Sequence, residues 1–268
     1  MLPCRRSLPL FTLCLLFAVC CPGVVAQTES SEEKSSDQKM IEAKRQARMQ
    51  TLAESHEVLV GDSGEKAKLL KTSIFSWANP ERSSIGGALH MWTLKGRPIA
   101  TIGLWTYTDT KDSYEYQSLY EGPLNVSSGA GEAWQPGTPG VKYLPIPDCD
   151  APARTPQLRL VQLRKIARDR FTSYSDDDEQ LRLLPQPIYR YDEFPDNVID
   201  GAIFSFAEGT DPETLVIFEA RLVENTKQWF YAFASQTSGG VDGRLDGKAV
   251  WDNSELGDSF RIHLFRGQ

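Results

Sequence analysis

Residues 65–106 and residues 179–220 repeat one another without a gap. Each residue number in the second stretch exceeds that of its counterpart by 114, as from Glu65 to Glu179. The matches include Leu69-Leu70 with Leu183-Leu184, Gly87-Ala88-Leu89 with Gly201-Ala202-Ile203, Trp92 with Phe206, and Pro98 with Pro212. Because a one-residue slip would turn every apolar set of a strand to the wrong face, an ungapped match also preserves strand register. The sequence therefore predicts an internal duplication.

Each copy combines one helix with alternating strands. Helix-forming residues from Gln38 to about Val58 predict the first helix. Thr155-Pro156 predicts the start of the second, since a capping hydroxyl followed by proline suits a first turn, and the acidic run at 175–179 is expected to end it. A half this small buries too little surface to stand alone. We therefore expect an α+β fold of mostly antiparallel sheet, in which two tandem repeats, about 38–120 and 156–234, are related by a pseudo-twofold axis.

The segments around the repeats differ in composition. Residues 27–37 contain no apolar side chain and are expected to form a disordered leader. Proline and glycine are frequent in residues 122–155, which favours an extended connector without elements of its own. The predicted organisation is a signal peptide (1–26), the leader (27–37), the first repeat (38–121), the connector (122–155) and the second repeat with C-terminal strands (156–268), with both repeats in one globular domain.

The N-terminus has the pattern of a secretory signal peptide. Arg5 and Arg6 precede an apolar run at 8–21, and small residues lead to a cleavage site near Ala26. We expect a soluble protein that is secreted or periplasmic after cleavage. The alternative is a lipid-anchored form attached through one of the cysteines at the end of the apolar run, Cys20 or Cys21.

Cysteine content and charge limit the remaining possibilities. Cleavage leaves only Cys149, so no internal disulfide is expected. Loss of the two arginines changes the formal net charge from −7 to −9, which argues against nucleic acid as a partner. No later stretch has the apolar length of a membrane span.

Several motifs together resemble an uncharacterised family of exported proteins from planctomycete bacteria, to which no activity is assigned. The resemblance covers most of residues 69–234. The motifs are W-A-N-P at 77–80, G-A-L-H-M-W-T at 87–93, G-R-P at 96–98, W-Q-P-G-T-P-G-V at 134–141, L-R-L-L-P-Q-P-I-Y-R-Y at 181–191 and D-G-A-I-F-S-F-A-E-G-T-D-P-E at 200–213. The resemblance implies export and no specific chemistry.

Four residues are the candidate ligand-binding set. Glu219 and Arg221 share one face of a strand because they are two residues apart, and the matching positions of the first repeat are Trp105 and Tyr107. An aromatic pair that faces a charged pair across the pseudo-twofold axis would line a groove for a small molecule or a glycan between the repeats. The alternative is a half-solvated sheet face on which the ion pair has only a structural role.

The sequence offers no catalytic constellation and no metal or cofactor motif. His90 matches Phe204 in the second repeat, so we predict a core position for it. The two Asp-Gly steps at 242–247 are more typical of a hairpin turn than of a calcium loop. We therefore predict a non-catalytic binding or structural module. The alternatives are a hydrolase or isomerase that uses carboxylates between the repeats, such as Glu115 or Glu219, and a glycan-binding module that uses exposed aromatic side chains.

Overall fold

The computed structural model describes residues 26–61, 64–79, 84–108, 111–129, 131, 133–192 and 197–263. The chain divides into two compact units, Met1–Ile41 and Glu42–Gln268. The described part of the first unit is helical, and all strands belong to the second. The predicted signal peptide lies outside the described residues except for Ala26. Neither of the two α-helices described is long and apolar enough to cross a membrane.

Two helices and nineteen strands make up the described chain. The helices are α1 (Ala26–Glu54) and α2 (Pro156–Arg170). The strands before α2 are β1 (His56–Val60), β2 (Glu65–Lys66), β3 (Lys68–Leu69), β4 (Phe75–Asn79), β5 (Ser84–Leu94), β6 (Arg97–Thr108), β7 (Lys111–Ser118), β8 (Leu124–Ser128), β9 (Ala133–Trp134) and β10 (Leu144–Pro145). Those after it are β11 (Phe171–Ser175), β12 (Arg182–Leu183), β13 (Tyr189–Tyr191), β14 (Val198–Glu208), β15 (Asp211–Val223), β16 (Thr226–Ser235), β17 (Val241–Leu245), β18 (Lys248–Asp252) and β19 (Phe260–His263). A 3-10 helix spans Asn253–Leu256.

The strands form two large and two small sheets. The first large sheet has the order β19-β7-β6-β5-β3, with β4 also on β5, and the second has the order β10-β16-β15-β14-β12, with β13 also on β14. The first small sheet is β2-β1-β8-β9 and the second is β11-β17-β18. Every strand pairing in these described sheets is antiparallel. The prediction of a mostly antiparallel α+β fold is confirmed.

Three apolar cores separate these layers. The central core lies between the two large sheets and includes Leu89, Met91, Ile203, Leu215 and Ile217. The first outer core lies beneath α1 and the first small sheet, and the second outer core lies beneath α2 and the second small sheet. The first outer core includes Met49, Val58, Trp92, Ile102, Tyr116 and Trp134. The second includes Leu163, Phe171, Phe204, Phe218, Tyr231 and Phe233. Each large sheet is therefore covered on both faces, which explains its nearly continuous apolar sequence.

Corresponding strands have corresponding pairings. The strands β3, β4 and β5 precede β12, β13 and β14 by 114 residues at their first residues. Phe75 pairs with Leu89 as Tyr189 pairs with Ile203. In the same way, Trp77–Gly87 corresponds to Tyr191–Gly201, and Thr93–Pro98 corresponds to Ala207–Pro212. Each β5–β6 or β14–β15 ladder also shifts register just before its proline, at Trp92/Thr93 and at Phe206/Ala207. Strand phase and hairpin irregularity are thus the same in both stretches.

The edge strands of the two large sheets are exchanged between the halves of the chain. The strand β10, which follows the first series of strands, pairs with β16 in the second large sheet. The strand β19, at the end of the described chain, pairs with β7 in the first large sheet. Each half therefore completes the sheet of the other.

The N-terminal region differs from the prediction in two ways. The helix α1 begins at Ala26, so residues 27–37, which we expected to be a disordered leader, lie within it. This segment contains Glu, Lys and Gln and neither Gly nor Pro, so its composition permits a helix although it provides no apolar face. The helix also ends at Glu54 rather than near Val58, because Val58 and Val60 point into the first outer core as alternate residues of β1.

The predicted connector, residues 122–155, is not free of elements. It contains β8, β9 and β10. Leu124 and Val126 alternate with exposed residues and are 4 % and 2 % exposed, and Trp134 of β9 packs into the same core. The alternation from Leu124 to Val126 is too short to be recognised among the surrounding prolines and glycines. Burial of its two apolar side chains stabilises β8.

The helix α2 begins as predicted, with Thr155 as the N-cap and its hydroxyl accepting from the Leu158 amide at 3.3 Å. It ends at Arg170, before the acidic run at 175–179, because Phe171–Ser175 forms β11 in the second small sheet. Asp246 and Gly247 adopt positive φ angles of 51° and 76° between β17 and β18, so the second Asp-Gly step is the hairpin turn that we predicted. The prediction is wrong for the first step, because Asp242 and Gly243 lie within β17 and pair with Asp252 and Trp251.

Candidate functional site

A pocket with a volume of about 280 Å³ lies beside β6, β7 and β15, and we call it the Trp105 pocket. Its first wall comes from the first large sheet and β4, and its second wall comes from β15 and the segment after β16. The described lining residues are Trp77, Ser84, Trp105, Tyr107, Glu115 and Ile262 on the first wall, and Asp211, Glu213, Gln236, Thr237 and Ser238 on the second. The pocket therefore combines both halves of the chain.

The aromatic part of the pocket comes from β6. Trp105 and Tyr107 are two residues apart and thus point to the same face of this strand. Trp105 is partly buried against the central core, whereas Tyr107 is 49 % exposed. The two rings therefore extend from the core edge to the solvent-facing rim of the pocket.

Three buried polar atoms at this pocket have no hydrogen-bond partner in the described structure. They are Trp77 Nε1, Ser84 Oγ and Gln236 Oε1. The three residues are 9 %, 3 % and 5 % exposed. A buried polar atom without a partner costs about 1–3 kcal/mol, and native structures contain few of them. Three of them, a donor, a hydroxyl and an acceptor, belong to residues that line this one pocket.

The orientation of Trp77 is fixed by a glycine. Its ring covers Gly87 so closely that a Cβ atom added there would lie 2.3 Å from a ring carbon. Tyr191 covers Gly201 in the same way, with a corresponding distance of 2.1 Å. The Trp77 ring therefore has no room to move closer to the strand at Gly87.

Carboxylates from two strands also line the pocket. Glu115 on β7 is 7 % exposed and Glu213 on β15 is 4 % exposed, and Asp211 is half-buried. The Glu115 side chain lies over Gly103, where an added Cβ atom would be 3.2 Å from Oε1. Several lone pairs on each carboxylate make these side chains acceptors for ligand hydroxyl or amine groups.

At the positions 114 residues after Trp77, Trp105 and Tyr107, the side chains of Tyr191, Glu219 and Arg221 pack together. With Arg97 and Tyr143 they form what we call the Glu219 cluster. Arg97 binds the fully buried Glu219 carboxylate through two bonds of 3.0 and 3.2 Å. Arg221 Nε donates to the same carboxylate at 2.6 Å and Tyr191 donates at 2.8 Å. The Arg221 guanidinium also lies 4.0 Å from the centre of the Tyr143 ring. The two arginines exceed the single glutamate by one positive charge, which is balanced by Glu121 at 3.4 Å from Arg97 and 3.6 Å from Arg221.

Burial sets the protonation of this cluster. Burial, together with the neighbouring Tyr143 and Glu219, raises the pKa of Tyr191 well above its usual value, so its hydroxyl remains a donor. Burial lowers the pKa of Arg97, but Glu219 and the two nearby tyrosines raise it, and the net shift is upward. Arg97 therefore remains a cation beside the buried carboxylate.

The structure separates the four predicted ligand-binding residues into two pairs. Trp105 and Tyr107 line the Trp105 pocket together. Glu219 and Arg221 are not among its described lining residues and belong to the Glu219 cluster instead. The predicted groove between the aromatic pair and the charged pair is not formed, because the aromatic pair lies at the Trp105 pocket and the charged pair lies in the Glu219 cluster. Arg221 binds Glu219 within its own strand.

Sequence reasoning missed Trp77, Ser84, Gln236, Asp211 and Glu213. One signal was available in the 114-residue match: Arg97 corresponds to Asp211, Trp105 to Glu219 and Tyr107 to Arg221. At each of these three matched positions the side chain differs in charge or in aromatic character. The surroundings of Trp105 and of Glu219 are therefore expected to differ in chemistry. Gln236 carried no such signal, because it reaches the pocket only through the fold.

His56 and His90 are not among the described lining residues of this pocket. His90 is 1 % exposed, and burial lowers its pKa to about 4 while Glu54 opposes the shift. Both ring nitrogens lack a hydrogen-bond partner among the described residues. His56 lies in a contact of 2.6 Å between its Nε2 and the hydroxyl of Tyr116. The predicted core position of His90 agrees with its burial.

No protein-family model, curated protein or solved structure matches this chain.

Proposed function

We propose that this protein is a non-catalytic binding module whose Trp105 pocket holds a polyhydroxylated small molecule of the glycan class. The observation that carries the proposal is that Trp77, Ser84 and Gln236 line this pocket and that each contains a buried polar atom without a hydrogen-bond partner in the described structure. A hydroxyl both donates and accepts, so one polyol ligand can serve an indole donor, a serine and an amide oxygen at once.

The aromatic side chains support the same ligand class. Sugar rings present apolar C–H faces as well as hydroxyl groups, and ligand sites combine aromatic surface with a few placed polar groups. Trp105 and Tyr107 supply the aromatic surface, while Glu115 and Glu213 supply further acceptors. At about 280 Å³, the pocket suits a single sugar unit rather than an extended chain.

Binding of neutral monosaccharides and disaccharides to the mature chain tests this proposal. Saturation-transfer difference NMR over a panel of these sugars should identify a binder, and its affinity should fall about tenfold or more in Trp105→Ala because the main stacking surface is removed. Ser84→Ala should weaken the same sugar by a smaller factor. Trp251→Ala is the matched control, since Trp251 is not among the described residues of the pocket. If no sugar binds, or if Trp105→Ala binds as the wild type does, the proposal is wrong.

The second candidate is a carboxylate-based hydrolase. It is favoured by Glu115 and Glu213, which reach one pocket from different strands, β7 and β15. Two carboxylates that flank a glycosidic bond are the usual machinery for its hydrolysis. The test is release of reducing sugar from aryl glycosides by the wild type and by Glu213→Gln. Turnover by the wild type that is lost in the variant, with sugar binding retained, would replace the non-catalytic proposal with this one.

We further propose that the domain arose by duplication and that its halves are related by a pseudo-twofold axis. The shared registers at Gly87 and Gly201 and the exchange of β10 and β19 between the large sheets support this relationship. A similar pairing lies beyond the predicted repeats, at an offset of 117 rather than 114 residues, since Val126 pairs with Trp134 as Gly243 pairs with Trp251. In this view the Glu219 cluster occupies the place that the Trp105 pocket leaves open.

The proposed setting is the periplasm or the cell exterior, reached after cleavage near Ala26. It rests on the charged and apolar pattern of residues 1–26 and on the resemblance to exported planctomycete proteins.

A further inference from the structure

A second cavity, of about 410 Å³, lies at the edge of the second outer core, and we call it the Trp251 cavity. It is bounded by β10, β16, β18, the segment before β10 and the end of the 3-10 helix. Its described lining includes Glu121, Lys142, Tyr231, Phe233, Val250 and Trp251. None of them lines the Trp105 pocket, so an inference from this cavity is independent of the proposed function.

The walls of the Trp251 cavity are aromatic and closely packed. The rings of Phe233 and Trp251 are stacked, with centroids 5.5 Å apart and planes at 16°. Phe233 lies against Gly243, where an added Cβ atom would be 2.7 Å from ring carbons. Tyr231 and Phe233 are only 4 % and 2 % exposed. Tyr231 meets Phe233 edge-on, with planes at 81°, so packing holds the stacked Phe233 and Trp251 rings in place before any ligand binds.

The corresponding stack in the first half is closed by the chain itself. Trp134 stacks on Tyr116 with centroids 5.3 Å apart and planes at 19°. The indole N–H of Trp134 donates to the Asp258 carbonyl at 2.7 Å, and Trp134 is 5 % exposed. The Asp258 carboxylate in turn binds the Gly137 amide at 2.8 Å, which holds this covering segment in place. Trp251 is half-buried and faces the cavity instead. The same aromatic stack is thus covered in one half and open in the other.

The charges at the Trp251 cavity favour an anionic group. Glu121 lies 3.4 Å from Arg97 and 3.6 Å from Arg221, so neighbouring cations compensate its charge. Lys142 is exposed and forms no ion pair with the described residues. The remaining lining consists of apolar and aromatic side chains and backbone. Lys142 is therefore the cation available to a ligand whose apolar part enters the cavity.

We propose that the Trp251 cavity binds a small planar aromatic carboxylate, with its ring against Trp251 and its carboxylate towards Lys142. The half-buried Trp251 ring, held parallel to Phe233, offers a surface to a planar apolar body, since aromatic pairs prefer offset stacked or edge-to-face contacts. The single uncompensated lysine at the rim selects an anion over a neutral or cationic molecule.

Titration of the full mature chain with 2-naphthoate tests this assignment. One site per chain is expected by calorimetry, with an affinity that falls about tenfold or more in Trp251→Ala. Lys142→Gln should weaken 2-naphthoate several-fold and leave the neutral analogue 2-naphthalenemethanol unchanged, because only the charged contact is lost. Trp105→Ala is the matched control and should bind 2-naphthoate as the wild type does.

Val250→Phe protects the test against misfolding of Trp251→Ala. Val250 is 37 % exposed at the cavity, so a larger side chain there narrows the space without removing a core residue. It should weaken 2-naphthoate about as strongly as Trp251→Ala. Absence of wild-type binding, or unchanged affinity in both Trp251→Ala and Val250→Phe, overturns the proposal. Equal weakening of the acid and the neutral analogue by Lys142→Gln overturns the assignment of an anion.

Discussion

The hydroxyl of Tyr191 donates a hydrogen bond of 2.8 Å to the carboxylate of Glu219, which is fully buried. At the corresponding positions of the first half, Trp77 has an indole N–H without a partner and Trp105 has no acceptor to offer it. One matched pair of residues thus distinguishes a closed cluster from an open pocket. Because an indole, Trp105, stands where the second half has a carboxylate, Glu219, the proposed ligand is expected in the Trp105 pocket and not at the Glu219 cluster.

Glu219→Gln should destabilise the protein strongly. The substitution leaves Arg97 and Arg221 beside a neutral amide in a buried place, and removal of one partner from a buried ion pair costs about 3–5 kcal/mol. Urea unfolding of both proteins measures the difference. Asp246→Asn is the matched control, because Asp246 pairs with Arg170 while 49 % of its side chain is exposed, and surface pairs contribute about 1 kcal/mol or less. Equal costs for the two substitutions would contradict the role of Glu219 as the centre of the cluster.

Gly87→Ala and Gly201→Ala should both be destabilising, and for the same reason. An added methyl group would enter the ring of Trp77 in one case and of Tyr191 in the other, so the ring must leave its place over the strand. Overpacking of this kind costs about 1–3 kcal/mol. Thermal unfolding of Gly129→Ala is the control, because the nearest atom there is 3.9 Å from the added Cβ. A cost for Gly87→Ala as small as that for Gly129→Ala would show that the ring gives way freely.

The parts of the fold that could be predicted are those in which the local pattern and the tertiary structure agree. The residues after Gly87 and Gly201 form mostly apolar runs typical of strands buried on both faces, and β5 and β14 have the matched registers that the 114-residue offset requires. Residues 122–155 show the opposite case. Their prolines and glycines conceal Leu124 and Val126, whose strand forms because β1 and α1 provide a core for them.

The pocket itself was only partly predictable. Trp105 and Tyr107 were accessible to prediction because alternation places them on one face of a strand. Gln236 and Ser84 lie at the same pocket only because strands that are distant in the sequence pair in the fold, and no local sequence pattern predicts this proximity. The grouping of Trp105 with Glu219 failed for a related reason, since matched positions in two halves identify equivalent places rather than a shared one.

Export predicts a defined N-terminus. The mature protein recovered from the periplasm or the medium should begin near Gln27, because Val24-Val25-Ala26 is the small-residue site that follows the apolar run. N-terminal sequencing with intact mass measurement gives the answer. An acylated species that begins at Cys20 or Cys21 would establish the lipid-anchored alternative, and a full-length chain retained in the cell would contradict export altogether.

Stability should depend on pH through His90. Its pKa is about 4 in the folded protein, against 6.5 for an unperturbed histidine, because burial disfavours the charged ring. Between these two pH values the folded state therefore binds fewer protons than the unfolded state. The contribution of neutral His90 to the free energy of unfolding is complete above pH 6.5 and is lost as the pH falls towards 4. The shift corresponds to roughly 3 kcal/mol by pH 4. His90→Phe places in the first half the residue that Phe204 supplies in the second, and it should remove this component of the pH dependence. Urea unfolding of both proteins at pH 7 and pH 4.5 isolates it, since the buried carboxylates contribute equally to each. If the difference between wild type and variant is the same at the two pH values, His90 is not the titrating group.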